Sequence, residues 1–152
     1  MGEINILHLS DIHFKRDKDD DNPPFRRDVQ NKMVAAIQDH LKDHDPPDFV
    51  AVTGDIAFSG KKPEYDEALK FFNQLKPILP GNIEFLVVPG NHDVDRNQID
   101  KFTPPYDVVQ NNMMDKFLED SDQIKKKINV NFNEFRQFAI GLNPTLLKSN
   151  KD

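Results

Sequence analysis

Three short blocks concentrate the chemistry of this chain: Asp11-Ile12-His13, Gly54-Asp55 and Gly90-Asn91-His92-Asp93. Asp11, His13, Asp55 and Asn91 offer carboxylate, imidazole and amide oxygen, donors that suit one or two divalent cations in an octahedral or five-coordinate site. Side chains alternate along an extended segment, so Asp-x-His is expected to turn both groups to one side and chelate one ion. Gly54 and Gly90 stand directly before Asp55 and Asn91, where a residue without Cβ lets the backbone turn tightly and come close to an ion.

Each block ends an apolar run, and the runs must bring the blocks together. Ile4 to Leu9, Asp48 to Thr53 and Ile83 to Val88 read as strands, the second apolar enough to be buried on both faces. Between the first two, Val29, Met33, Ile37 and Leu41 recur every four positions, which predicts an amphipathic helix from Phe25 to about Asp43 that stops before Pro46-Pro47. Between the second and third, Tyr65, Ala68, Leu69, Phe72 and Leu75 predict another, with Pro63 as its first residue and Pro77 and Pro80-Gly81 closing it. The order βαβαβ with crossover helices implies a parallel sheet, and ligands of such sheets gather at the carboxyl ends of the strands, where all three blocks fall. Further helix-like segments follow, at Val108 to Lys127 and Phe132 to Leu142, without evident chemistry.

Composition narrows the function classes. The 152 residues suffice for one domain with a real core, and 30% charged residues, 37% hydrophobic residues and 12 Phe describe a globular chain whose core leans on phenylalanine. No apolar run approaches the roughly 20 residues that span a bilayer. The N-terminus lacks the basic region of a signal peptide, and Ile6 stands where a myristoylation pattern has Ser or Thr, so cytoplasm is the expected compartment and no membrane partner is expected. With no cysteine there is no disulfide and no thiolate ligand, leaving metals held by oxygen and imidazole. A net charge of −6 argues against a strong nucleic-acid-binding surface. Metal ions could still supply positive charge for a phosphate ester locally.

Other candidate groups read as ordinary surface or core. Lys125-Lys126-Lys127 reads as a solvated helix face. Asp17, Asp19 and Asp21 alternate like a calcium loop, but Asn22 replaces its turn glycine and Asp28 its bidentate glutamate. His40 and His44 are spaced i, i+4, yet Leu41 stands where a zincin motif has glutamate, and they read as solvated histidines favoured by a helix C-terminus. His8, inside the first strand, reads as a core histidine.

In this order, Asp11-Ile12-His13, Gly54-Asp55 and Gly90-Asn91-His92-Asp93 resemble the D-x-H, G-D and G-N-H-D/E blocks of the calcineurin-like metallophosphoesterases. The resemblance implies that the α/β fold is the first half of a four-layer sandwich, with a βαβαβ parallel sheet and flanking helices. It implies two divalent ions in the complete domain (Mn, Fe, Zn, Ni or Mg), Asp11 and His13 binding the first, Asp55 bridging both and Asn91 binding the second. His92 would contact the phosphate and protonate the leaving oxygen, with Asp93 orienting it. The implied reaction is in-line hydrolysis of a phosphomonoester or phosphodiester, of a small molecule or a nucleotide, by a hydroxide bridging two cations roughly 3.5–4 Å apart. Arg96 is a further candidate for a phosphate contact.

The chain departs from that pattern after Arg96. It has no histidine beyond His92, whereas the family completes its site with another histidine and a later Gly-His-x-His block. The expected organisation is therefore the N-terminal half of a metallophosphoesterase domain at residues 1–97, with residues 98–152 a helical extension or insertion. Such a chain is expected to be weakly active or inactive alone, with a C-terminal segment or a second chain supplying the missing histidines. The other reading is a noncatalytic half-domain or subunit that binds metal or phosphate and needs a partner to complete its site.

Overall fold

The computed structural model describes residues 3–95 and 130–144. Strands β1 (Ile6–Leu9), β2 (Phe49–Thr53) and β3 (Glu84–Val88) alternate with helices α1 (Pro23–His40) and α2 (Lys62–Leu75), and a third helix, α3 (Asn133–Leu142), lies further on. The sheet is parallel in the order β1-β2-β3, as the βαβαβ pattern predicts. The Phe132 to Leu142 expectation corresponds to α3, while Val108 to Lys127 and Arg96 lie outside the described residues.

Register decides which side chains meet the core. Leu7, Val50 and Phe85 form one rung, and Leu9, Val52 and Val87 another. Both rungs point to the face where Phe71, Phe72 and Leu75 of α2 and Phe135, Phe138 and Leu142 of α3 are buried. The interior is largely aromatic, as the phenylalanine content suggests: the Phe72 ring lies 5.9 Å from Phe85, 5.8 Å from Phe138 and 5.3 Å from Phe71.

Among the described residues the opposite face is exposed, which corrects the expectation that β2 is buried on both sides. Phe49 and Ala51 of β2 are half-buried and Thr53 is exposed. Ile6, Leu86 and Val88 on the flanking strands are 52%, 46% and 52% exposed. His8 belongs to this face too; it is exposed, not in the core, and its Nε2 lies 2.6 Å from Thr53 Oγ1.

The helices differ in how they are fixed. α1 begins two residues before Phe25, because Asn22 accepts from the Phe25 amide at 3.3 Å and two prolines, Pro23 and Pro24, suit the first turn. It has no fully buried residue. Met33, Val34, Ile37 and Leu41 pack half-buried on the core, and Val29 of the expected stripe is exposed. α1 ends at His40, so His44 lies beyond the helix, its ring stacked on His40 at 3.9 Å. α2 starts on the buried Glu64, whose carboxylate accepts from Ser59 N, Ser59 Oγ and Lys61 N.

Candidate metal centre

All three blocks sit where the strands end, and their loops are bonded to one another. Asp11 N donates to Gly54 O at 3.3 Å, His13 N to Asp55 O at 2.9 Å, Phe14 N to Ile56 O at 2.7 Å, and Gly54 N to Val88 O at 2.9 Å. The sheet's hydrogen bonding thus continues past the strands and sets the blocks side by side.

The backbone that achieves this is strained. Asp11, His13 and Asp55 have φ of 56°, 52° and 50°, the left-handed region that costs a residue with Cβ about 1–2 kcal/mol. The extended geometry expected of Asp-x-His is therefore absent. In consequence His13 meets Asp55, its Nε2 3.8 Å from Asp55 Oδ2, while the exposed Asp11 carboxylate accepts a hydrogen bond from Ser10 Oγ.

The two glycines act differently. Gly54 turns with φ +78°. Gly90 has an ordinary φ of −104°, but a Cβ there would fall 2.2 Å from Asp55 Oδ1. Its bareness seats the Asp55 carboxylate, which also accepts from His92 N at 3.0 Å.

Among the described residues, one group of His, Asp or Glu side chains could hold a cation: His13, Asp55 and His92, each offering a ligand atom within 4.8 Å of the others. The His13 and His92 rings meet edge to face at 4.7 Å. His13 Nδ1 is buried without a hydrogen-bond partner, the kind of polar atom that a bound ion or a proton acceptor satisfies. An imidazole pair and a carboxylate are borderline and hard donors that fit Mn, Fe, Zn or Ni. Asn91 follows Gly90 in a short 3-10 turn, exposed beside this group. His92, expected in a proton-transfer role, is thus a member of the gathered set, and Asp11 is not.

Asp93 is placed otherwise than expected. It is fully buried, and its carboxylate accepts from Ile56 N at 3.2 Å, Ala57 N at 2.8 Å, Gly90 N at 2.9 Å and Tyr65 Oη at 2.9 Å. It fastens the second block's loop to the third. Burial, then the nearby Asp93 charge and hydrogen bond, push the Tyr65 phenol far above its usual range, so Tyr65 stays a neutral donor. The orientation of His92 comes instead from the Phe58 carbonyl, 2.7 Å from its Nδ1. A carbonyl only accepts, so Nδ1 carries a proton and Nε2 is the free atom.

Sequence reasoning also missed Arg26. Its Nη1 donates to the His13 carbonyl at 2.9 Å, and its Nε is hydrogen-bonded to Asp20. Burial opposes ionisation of Asp20, but the Arg26 hydrogen bond, the Asn22 amide and the Arg26 and Lys15 charges outweigh it and hold the carboxyl below its ordinary 3.8. Asp17 and Asp19 of the calcium-like alternation are likewise paired, with Arg27 and Arg16. Asp17, Asp19 and Asp20 of the acidic loop are arginine partners.

No curated protein matches the chain. A family model described as calcineurin-like phosphoesterase matches residues 4–148, so the match continues well past Asp93, where the quoted blocks end. Its span covers nearly all of the 152 residues, and the chain belongs to the calcineurin-like phosphoesterase family.

Proposed function

We propose that this chain is a metal-dependent hydrolase of phosphate esters, monoesters or diesters, acting at the carboxyl ends of strands β1, β2 and β3. The observation that carries the reading is the convergence of His13, Asp55 and His92 from three separate loops in a family whose members hydrolyse phosphoesters with metal ions. In the proposed site His13 and Asp55 would hold one ion, with Asp11 beside them, and Asp55 and Asn91 would reach a second. Bound divalent ions supply Lewis-acid stabilisation of phosphoryl charge.

The chain's own groups do the rest. Asp55 is held ready as a ligand by the His92 amide and by the bare Gly90. In its imidazolium form His92 keeps Nδ1–H on the Phe58 carbonyl and gives its Nε2 proton to the leaving oxygen, returning to the neutral ring. Asp93 keeps the loops of Asp55 and His92 at a fixed separation and touches no substrate.

The second reading, a noncatalytic subunit that binds metal or phosphate, is favoured by the apolar sheet face on which Ile6, Leu86 and Val88 lie open. A partner or a further segment would cover that face. Assays with chromogenic mono- and diesters in Mn²⁺, Ni²⁺ and Mg²⁺, paired with elemental analysis, separate the two. The hydrolase reading expects turnover that falls about 10²–10⁴-fold in His92→Ala with metal retained, and bound metal that disappears in Asp55→Ala. Metal uptake without turnover, in a chain that associates by light scattering, favours the subunit. Equal metal content in Asp55→Ala and the parent would sink the site in both.

A further inference from the structure

The rim of the metal centre holds an aromatic ring that the proposed chemistry does not use. Phe58 is 43% exposed, whereas Phe14, Phe71, Phe72, Phe85, Phe135 and Phe138 are buried. Its backbone is fixed on both sides: the amide donates to Phe14 O at 3.1 Å, and the carbonyl accepts from His92 Nδ1. Ser59, next in the chain, is anchored by the buried Glu64. The ring centre lies 5.8 Å from that of His92 and 6.3 Å from that of His13. Lys15 Nζ stands 3.9 Å from the Phe58 centroid.

A face that admits an ammonium at this distance is not covered by other side chains. Leaving so large an apolar ring in water forgoes the gain of burial, and its fixed backbone beside the donor cluster makes it a surface for something else. A flat apolar face next to a cation and next to phosphate chemistry complements a ligand that is planar and aromatic at one end and anionic at the other.

We propose that Phe58 is the stacking platform for the base of a nucleoside phosphate, with Lys15 drawing in the phosphate. Phe58 is thereby a specificity-determining residue, and the inference rests on the phosphoester reading of the site. Stacking of this kind tolerates any base, because every base presents a π face. The platform selects nucleoside phosphates over alkyl and sugar phosphates without reading base identity. Lysine's flexible stem lets the ammonium leave the ring face when a base takes it.

Equilibrium binding by calorimetry, with no turnover required, tests the platform using AMP, phenyl phosphate and ribose 5-phosphate. AMP is expected to bind about ten-fold or more tighter than ribose 5-phosphate, as stacking of one base implies. Phe58→Leu should erase that preference, and Phe58→Trp should keep it. Lys15→Gln should weaken all three ligands alike. Equal affinity for AMP and ribose 5-phosphate, or a preference that survives Phe58→Leu, overturns the proposal. Phenyl phosphate binding as tightly as AMP overturns the nucleoside assignment. A base preference with no hydrolysis in any metal counts against the hydrolase reading alone and supports the platform.

Discussion

The covered face of the sheet and the rim at its carboxyl ends are built by opposite rules. Beneath the sheet, Val50, Val52, Phe72 and Phe138 are fully or almost fully buried in regular elements. At the rim, Asp11, His13 and Asp55 occupy left-handed conformations and a buried carboxylate, Asp93, stands among backbone amides. Stability is gathered in the first region, and part of it offsets strain in the second. The division means that substitutions in the two regions should act with different size and even different sign.

The largest effect is expected from Phe72→Ala. Phe72 touches the aromatic rings of α2, β3 and α3, and its loss should cost about 3–5 kcal/mol in chemical denaturation. A cost below 1 kcal/mol would mean that this interior does not carry the fold.

Arg26→Gln comes next, at about 1–2 kcal/mol near neutral pH, since it removes a charge-assisted hydrogen bond and the support of the His13 carbonyl. Here the sign with pH is specific. Asp20 has a folded pKa below the ordinary 3.8, so its contribution is present above that value and fades as pH falls through the lowered one. The gap between Arg26→Gln and the parent should therefore narrow on acidification below about pH 4. A gap that stayed constant to pH 2 would place the arginine's effect elsewhere.

Asp11→Gly should run the other way. Glycine adopts positive φ without penalty, so the fold is expected to gain about 1 kcal/mol. If thermal denaturation showed a loss instead, the left-handed turn would not be a store of strain. The smallest effect belongs to the open face: Leu86→Thr should change stability by no more than about 0.5 kcal/mol, and its readout is reduced self-association in light scattering.

Most of the architecture could be read from residue order, because apolar runs ending at Ser10-Asp11, Gly54-Asp55 and Gly90-Asn91 mark both the strands and the place where the loops meet. Membership of the gathered site was less legible. An extended backbone would group Asp11 with His13, and no residue type announces a positive φ at aspartate or histidine. Asp93 lies next to His92 in sequence, yet its partners come from the loop after β2, from α2 and from Gly90. Arg26, Tyr65 and Phe58 act through contacts across the fold that carry no local pattern. The burial of His8 and β2 is hard to read for a related reason: an apolar strand looks alike whether one face or both are covered.

The parallel pairing has a consequence for how the site comes into being. Among the described residues every strand is bonded only to a strand far away in the sequence, so none of these pairings is a hairpin, and each rung closes a long loop before it is rewarded. His13, Asp55 and His92 therefore cannot approach one another until both crossovers have closed. Metal ions offered to the nascent or refolding chain will find no preassembled template to nucleate on. Their affinity will act only on the finished state, slowing its unfolding without hastening its birth.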